Sequence, residues 1–345
     1  MADNNEVSRE RKQRKPGAGV DVGTAFIVCA RMDNNDDIRI TTQRDAFFDV
    51  EKSDFSKKML DQSNVSYIEK DGRLYVVGQE ALELSNVFNK NTRRPLRAGV
   101  ISPNEKDAFA MIEVMLKRVT RKRRCDNELL YFSVPANPID ANYNVIFHET
   151  MFRSFFTNLG YNAKPINEAH AIVLSELADE DFTGLAISFG AGMTNVGLSY
   201  LSIPALSFSV AKAGDWIDEN AATAAGVTVS KITSIKEAGV DIVNPQNTQE
   251  FAISAYYRNL INYVVKNLSL RLERTDDVPS FPKPITVILS GGTSLVGNFT
   301  TLFEEEIKKY KFPFTIDKVK VAEDQLNSVA QGCLIASLNN DNNDV

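Results

Sequence analysis

Short apolar runs alternate along the chain with longer segments in which apolar residues recur at helical spacing. The runs at 129–134, 185–189 and 285–289 are bounded by polar or glycine-containing segments, as buried strands are. Segments 105–119 and 252–272 place apolar residues three or four positions apart, which is the period of an amphipathic helix. This alternation predicts an α/β protein.

The apolar pattern repeats in outline in the two halves of the chain. Residues 20–30 form a strand-turn-strand pattern, and 38–42 returns as a hairpin partner across a polar turn. In the second half, 185–189, 196–201 and 205–211 predict a three-stranded meander. One such element in each half indicates an ancient duplication.

Three glycine-rich turns follow or lie within strand-like runs in a fixed order. They read Gly19-Val-Asp-Val-Gly-Thr24, Ser188-Phe-Gly-Ala-Gly-Met-Thr194 and Ser290-Gly-Gly-Thr293. Glycine lets the backbone approach a phosphate or base closely, so that free N–H groups face the anion. The first two turns are far apart in the sequence, so we expect one nucleotide to be held by both halves of the chain.

Length, charge and cysteine content narrow this picture. The 345 residues are too many for one ordinary core and fit two domains. The formal net charge of −6 gives no indication that the chain binds nucleic acid nonspecifically. The three cysteines form no metal-ligand spacing with the two histidines. Their odd number and wide separation favour a protein of the reducing cytosol. Because every apolar stretch is far shorter than a membrane helix, we expect a cytoplasmic protein without membrane insertion.

The two ends of the chain are polar. Residues 1–16 carry a basic cluster with few apolar neighbours, and 339–345 are rich in Asn and Asp. Both compositions predict disorder, because neither segment can bury enough apolar surface to fold. The alternative for the N-terminal arm is a docking element for a protein adaptor.

The motifs resemble those of the actin, heat-shock chaperone and sugar kinase ATPase superfamily. The first two turns are similar to its two phosphate motifs, and Val287-Ile-Leu-Ser-Gly-Gly-Thr293 is similar to its adenosine motif. Asn167-Glu168-Ala169 and Ser328-Val-Ala-Gln-Gly332 resemble its two connecting elements. The resemblance covers roughly 17–338.

Within the superfamily, the chain resembles the bacterial actin-like filament proteins of the MreB and MamK types. Thr92-Arg-Arg-Pro-Leu-Arg-Ala-Gly-Val-Ile101 looks like the segment by which those proteins re-enter their first domain. Lys212-Ala-Gly-Asp-Trp-Ile-Asp-Glu219 resembles their Gly-Asp element that faces the nucleotide.

The resemblance implies an actin-like ATPase fold with two duplicated ribonuclease-H-like domains, a nucleotide cleft between them and a smaller subdomain in each. Domain I would comprise 17–167 plus 321–338, with a small insertion at about 35–98. Domain II would comprise 168–320, with a small insertion at about 212–280.

The resemblance also implies roles for individual residues around ATP or ADP and Mg²⁺. Asp21 would hold Mg²⁺ through its water shell, since Mg²⁺ keeps several waters. Glu168 would orient the attacking water, and Thr194 would complete the catalytic group. The residues expected to contact the nucleotide are Gly23, Thr24, Ala25, Gly190, Ala191, Gly192, Met193, Gly214, Asp215, Lys236, Gly291, Gly292 and Thr293.

Three of these assignments have structural alternatives. Asp21 could be an aspartate of a strand-end turn. Glu168 could be an N-terminal carboxylate that complements a helix dipole. Lys236 could be a solvated helix charge rather than a residue that closes the adenine pocket.

Two residues depart from the family pattern. Ser188 occupies the position at which the second phosphate motif usually begins with an aspartate, so we expect weaker metal binding or slower hydrolysis. Ala169 follows Glu168 where the first connecting element usually has proline, which we expect to be a tolerated change.

The resulting hypothesis is a cytoskeletal actin-like ATPase that polymerises with itself into nucleotide-dependent filaments, which position or segregate cellular cargo. The alternatives of the same fold are a small-molecule kinase or a non-polymerising ATP switch. A kinase would need a general-base aspartate and an acceptor pocket, to which no motif points. A chaperone would need a peptide-binding domain after the last motif, which we do not expect here.

Overall fold

The computed structural model describes residues 16–33, 35–85, 87–88, 90–274 and 278–339. Nearly all of the predicted basic arm and acidic tail therefore lie outside the described residues.

The described strands and helices alternate along the chain as the apolar pattern predicts. The strands are β1 (Gly17–Val22), β2 (Phe26–Met32), β3 (Ile38–Arg44), β4 (Phe47–Glu51), β5 (Tyr67–Lys70), β6 (Arg73–Val77), β7 (Leu96–Arg97), β8 (Val100–Ile101), β9 (Leu129–Val134), β10 (Asn162–Asn167), β11 (Gly184–Phe189), β12 (Thr194–Tyr200), β13 (Ile203–Val210), β14 (Ile285–Ser290) and β15 (Ile316–Val321). The helices are α1 (Asp54–Gln62), α2 (Gln79–Ser85), α3 (Ala108–Thr120), α4 (Val145–Asn158), α5 (Glu168–Glu176), α6 (Gly214–Ala225), α7 (Val229–Glu237), α8 (Thr248–Arg274), α9 (Phe299–Ile307) and α10 (Ser328–Asn339), with a 3₁₀ turn at Gly292–Leu295.

The first large sheet has the strand order β10-β9-β1-β2-β3. Strands β1, β2 and β3 form an antiparallel meander, and the first glycine turn lies between β1 and β2. Strands β9 and β10 run parallel to β1. The first glycine turn therefore lies at the carboxyl end of β1, next to the carboxyl ends of the two parallel strands.

The second large sheet repeats this arrangement with the order β13-β12-β11-β14-β15. Strands β11, β12 and β13 form the meander, and β14 and β15 run parallel to β11. The second glycine turn follows β11 and the third follows β14, so both lie at the same edge of this sheet. The duplicated fold expected from the sequence is confirmed.

A small separate sheet, β4-β6-β5, lies between β3 and the return segment at 92–101. It has its own apolar core, which includes Phe48, Leu60 and Val76. Strand β3 pairs along its full length with β2, and the small sheet begins with β4 at Phe47. In the second half, α6, α7 and α8 occupy the equivalent place between β13 and β14.

Helix α8 is the longest helix in the described part of the chain. Its buried residues, among them Tyr257, Leu260 and Val264, pack into the core of the second sheet. None of the helices among the described residues combines the length and apolar character that crossing a bilayer requires.

Helices α5 and α10 pack against each other with their backbones in contact. A Cβ atom at Gly332 would lie 1.8 Å from the carbonyl oxygen of Ala171, which leaves no room for any side chain. On its other side α10 lies against β1, where a Cβ at Gly19 would lie 2.2 Å from the carbonyl oxygen of Ala330. The small residues Ala330 and Gly332 therefore let α10 pack closely against β1 and α5.

We expect Gly332→Ala to lower the free energy of unfolding by about 3 kcal/mol or more, because the added methyl group meets backbone atoms that cannot rotate away. Helix propensity favours Ala over Gly by only about 1 kcal/mol and cannot offset this clash. Urea unfolding monitored by circular dichroism measures the change. Gln331→Ala on the same helix is the matched control and should stay within about 0.5 kcal/mol of the parent. Unchanged stability of Gly332→Ala would contradict the backbone contact.

Candidate functional site

A cavity of about 930 Å³ lies where the glycine turns of the two sheets face each other. Its lining includes all three turns, the first turns of α6 and α7, and two carboxylates, Asp21 and Glu168. Among the residues singled out in the sequence, the following line it: Asp21, Gly23, Thr24, Ala25, Glu168, Gly190, Ala191, Gly192, Met193, Gly214, Asp215, Lys236, Gly291, Gly292 and Thr293.

The first and second turns approach each other through glycine. A Cβ atom at Gly192 would lie 2.5 Å from both the Thr24 Oγ1 and the backbone nitrogen of Gly99. The Gly99 N–H in turn donates to Thr24 Oγ1 at 3.0 Å. A side chain at position 192 would push the two halves apart, so this glycine sets the width of the cavity here.

The second and third turns are joined by hydrogen bonds to one carbonyl. The Thr293 hydroxyl and the Gly214 N–H both donate to the carbonyl oxygen of Gly190, at 2.7 and 3.1 Å. The Asp215 N–H donates to the Ala191 carbonyl at 2.8 Å. Gly291 has φ +90°, a conformation that favours glycine. The backbone of this wall is therefore fixed before any ligand enters.

Thr194 is the one candidate that does not reach the cavity lining. It is the first residue of β12 and its side chain is fully buried. Its hydroxyl donates to the carbonyl oxygen of Lys212 at 2.8 Å. The geometry therefore gives Thr194 a structural contact that positions the segment leading into α6, and the catalytic role expected from the motif stays a prediction.

Asp21 lies at the end of β1 and is held by a serine of the neighbouring strand. The Ser133 hydroxyl donates to Asp21 Oδ1 at 2.7 Å and accepts from the Val22 N–H at 2.9 Å. Burial raises the pKa of Asp21 to about 6, although the hydrogen bond from Ser133 opposes the shift. The hydrogen bond from Ser133 therefore fixes the orientation of the Asp21 carboxylate.

Glu168 begins α5 and reaches across to the second sheet. Asn167 caps the helix, since its Oδ1 accepts from the N–H groups of Ala169 and His170 at 3.0 and 3.2 Å. The Glu168 carboxylate accepts from Ser188 Oγ at 2.7 Å and from Asn195 Nδ2 at 2.6 Å. A helix-dipole role alone would leave the carboxylate in solvent, whereas here both oxygens are engaged inside the cavity.

The two carboxylates influence each other. Burial is the largest cause that raises the pKa of Glu168, to about 8, and the negative charge of Asp21 adds to it. The hydrogen bonds from Ser188 and Asn195 oppose this shift only in part. Near neutral pH the ligand-free pair therefore retains a proton, which a cation in the cavity would displace.

Lys236 lies at the far end of the cavity on α7 and is mostly buried. Its ammonium group is 2.7 Å from Asp218 Oδ1 and donates to the carbonyl oxygen of Gly214 at 3.1 Å. The hydroxyl of Thr233 donates to the other oxygen of Asp218 at 2.8 Å. Lys236 is thus an ion-paired wall residue rather than a freely solvated helix charge.

Arg94 connects the two halves across the cavity mouth. Its guanidinium pairs with both carboxylate oxygens of Asp215, at 3.2 and 2.8 Å. Asp45 lies on the same side as Arg94 and is 1% exposed, with Oδ2 accepting from the Leu96 N–H at 3.1 Å. Its Oδ1 has no hydrogen-bond partner among the described residues. Asp215 thus faces the cavity as expected, but with a partner that the motif does not indicate.

Sequence reasoning missed Asp45, Arg94, Ser133, Asn195 and Asp218 as parts of this site. Asn195 follows directly after the second motif and could have been suspected from that position. The other contacts join residues that are distant in the sequence, such as Arg94 and Asp215, and no local signal marks them.

Comparisons with known proteins agree with this geometry. The model of the Volactin family matches residues 17–337. No curated protein matches the sequence.

Solved structures similar to this chain cover nearly all of it. A MamK double helical filament has a TM-score of 0.70 at 17% identity and covers 93% of this chain and 98% of its own. MreB5 of Spiroplasma citri bound to ADP has a TM-score of 0.66 at 16% identity and covers 95% and 99%. The ethanolamine utilization protein EutJ from Carboxydothermus hydrogenoformans has a TM-score of 0.56 at 13% identity and covers 93% and 89%. At these identities the likeness establishes the fold alone, which is the actin-like ATPase fold.

We expect Glu168→Gln to stabilise the ligand-free protein more at pH 8 than at pH 5. The native protein holds a proton on Glu168 up to about pH 8, whereas the unfolded chain loses it near pH 4.5. Stability is therefore lost as pH rises through this window, and Gln removes that loss, with a difference of about 1–3 kcal/mol. Thermal unfolding at both pH values measures it, with Glu113→Gln on the exposed side of α3 as the control. An equal effect of Glu168→Gln at pH 5 and pH 8 would show that Glu168 is already ionised at neutral pH.

Proposed function

The chain belongs to the Volactin family, and from that premise we propose that it is an actin-like ATPase that binds ATP or ADP with Mg²⁺ and polymerises into nucleotide-dependent filaments. The observation that carries the proposal is the cavity in which three glycine turns and two carboxylates converge from both sheets. The similar structures include proteins bound to ADP or AMPPNP and filaments of MamK.

In this proposal the two sheets belong to two domains, and the nucleotide binds between them. The backbone of Gly190 to Met193 faces the terminal phosphate, and Gly23 to Ala25 faces the preceding one. Gly291, Gly292 and Thr293 border the base and the first phosphate, while Gly214 and Asp215 lie near the ribose. Glycine allows this approach because it adds no side chain between backbone and phosphate.

The metal part of the proposal rests on the donor chemistry of Asp21. Among the described residues, no group of three or more His, Cys, Asp or Glu side chains is arranged to hold a metal ion. Mg²⁺ keeps several waters and is bound by few carboxylates together with phosphate oxygens, and Asp21 is the carboxylate that we propose for this role. When bound with the nucleotide, Mg²⁺ would neutralise phosphate charge and favour the ionised forms of both carboxylates.

Hydrolysis in this proposal depends on positioning. Asp21, which is oriented by Ser133, would hold Mg²⁺ through its bound waters. Glu168 accepts a hydrogen bond from the attacking water and aligns it with the terminal phosphate. Thr194 acts indirectly, through its bond to the Lys212 carbonyl ahead of α6.

If the chain forms filaments, we expect Mg-ATP to convert the full-length chain at micromolar concentration into a polymer. Sedimentation and negative-stain electron microscopy detect this polymer. Mg-ADP and nucleotide-free samples should pellet less. Asp21→Asn, which keeps side-chain size but removes the charge, should weaken the response to Mg-ATP. Absence of polymer under all three conditions, with ATP binding retained, would favour a non-polymerising ATP switch or a small-molecule kinase of the same fold.

If Glu168 positions the attacking water, we expect Glu168→Ala to lower the rate of phosphate release by about 100-fold, since a positioned acid-base group contributes a factor of this order. Binding of a fluorescent ATP analogue should change little. Glu113→Ala on α3, an exposed Glu remote from the cavity, is the matched control and should hydrolyse ATP at the parental rate. Parental phosphate release by Glu168→Ala would show that its carboxylate does not take part.

A further inference from the structure

Ser188 and Asn195 hold the two oxygens of Glu168 from one face of the second sheet. They lie directly opposite each other in the β11–β12 ladder, so their side chains project to the same side. Both are 1% exposed, and each donates to a different oxygen of the Glu168 carboxylate, at 2.7 and 2.6 Å. The carboxylate therefore cannot rotate without losing a buried hydrogen bond.

The orientation of the Asn195 amide is fixed by a second contact. Its Oδ1 accepts from the N–H of Ala136 at 2.9 Å, so its Nδ2 must point towards Glu168. Ala136 follows β9 of the first sheet, and Asn195 therefore joins both sheets to the carboxylate. Asn195, which binds the Glu168 carboxylate, is therefore itself held in place by a backbone hydrogen bond.

We propose that Ser188 and Asn195 are positioning residues for ATP hydrolysis, which act by fixing the Glu168 carboxylate beside the attacking water. This inference rests on the proposed function. In the step concerned, the water oxygen forms a bond to the γ-phosphorus, and the bond from that phosphorus to the β,γ-bridging oxygen breaks. The electron pair of that bond leaves with ADP, and the proton of the water passes to Glu168 and then to the released phosphate or to solvent.

The same geometry indicates a role for Ser188 that differs from the one expected from the family pattern. The pattern suggests that a lost acid at this position weakens metal binding. Here an acid would lie at hydrogen-bond distance from Glu168, and two carboxylates so close cannot both remain ionised. A hydroxyl donates to Glu168 instead, and it favours the ionised form that accepts a proton.

The test measures kcat and KM for phosphate release, and the affinity for AMPPNP, in the full-length chain. Ser188→Ala and Asn195→Ala should each lower kcat about 10-fold, which corresponds to one lost hydrogen bond to a charged group. KM and AMPPNP affinity should stay within about 2-fold. Ser188→Thr keeps the hydroxyl and should recover most of the rate. Ser207→Ala, at an exposed position on β13, is the matched control.

A double-mutant cycle separates positioning from a general structural effect. In a Glu168→Ala background, Ser188→Ala should lower kcat no further, because the group that it positions is gone. An equal loss in both backgrounds would overturn the proposal, and so would a rate increase in Ser188→Asp, which would assign this position to the metal. If the parent chain shows no phosphate release, the proposed hydrolysis itself fails. If the parent hydrolyses ATP and Ser188→Ala does so equally fast, only the positioning role fails.

Discussion

The backbone contact between α5 and α10 is the constraint on which the site depends. Gly332 allows α10 to touch α5 at Ala171, and Gly19 allows the same helix to lie directly against β1. Helix α5 also packs on β11 and β12 of the second sheet. Because Glu168 is the first residue of α5, this packing determines how far its side chain lies from Asp21 on one side and from Ser188 on the other. A side chain at either glycine would change the spacing of the two sheets at the point where the carboxylates meet.

The cavity brings negative groups together without an equal number of positive ones. Asp21 and Glu168 both have a raised pKa, mainly because burial removes water, and the negative charge of Asp21 raises the pKa of Glu168 further. The cations nearby are already engaged, Arg94 by Asp215 and Lys236 by Asp218. The carboxylate pair thus carries an electrostatic cost in the ligand-free protein that an incoming cation would relieve.

The sequence was sufficient for the features that depend on local pattern. The two meanders follow from the alternation of apolar runs, and the glycine turns follow from the absence of side chains that lets a backbone approach a ligand. Contacts between distant segments did not follow, because nothing near Arg94 in the sequence indicates Asp215 as its partner. Thr194 shows a second limit, since its motif position suggested the phosphate while the alternation of β12 turns its hydroxyl towards Lys212. The hairpin predicted at 38–42 is present, because β3 pairs with β2 along its full length.

Ser188 connects these points. From the sequence alone, Ser188 replaces the aspartate that usually begins the second phosphate motif, which suggests reduced activity. In the fold, it lies opposite Asn195 and donates to a carboxylate whose charge is already opposed by burial and by Asp21. A third acid here would raise the pKa of Glu168 further, whereas the hydrogen bond from the serine hydroxyl lowers it. The serine and the glutamate are therefore complementary, and the departure from the family pattern is compatible with hydrolysis because of where Glu168 lies.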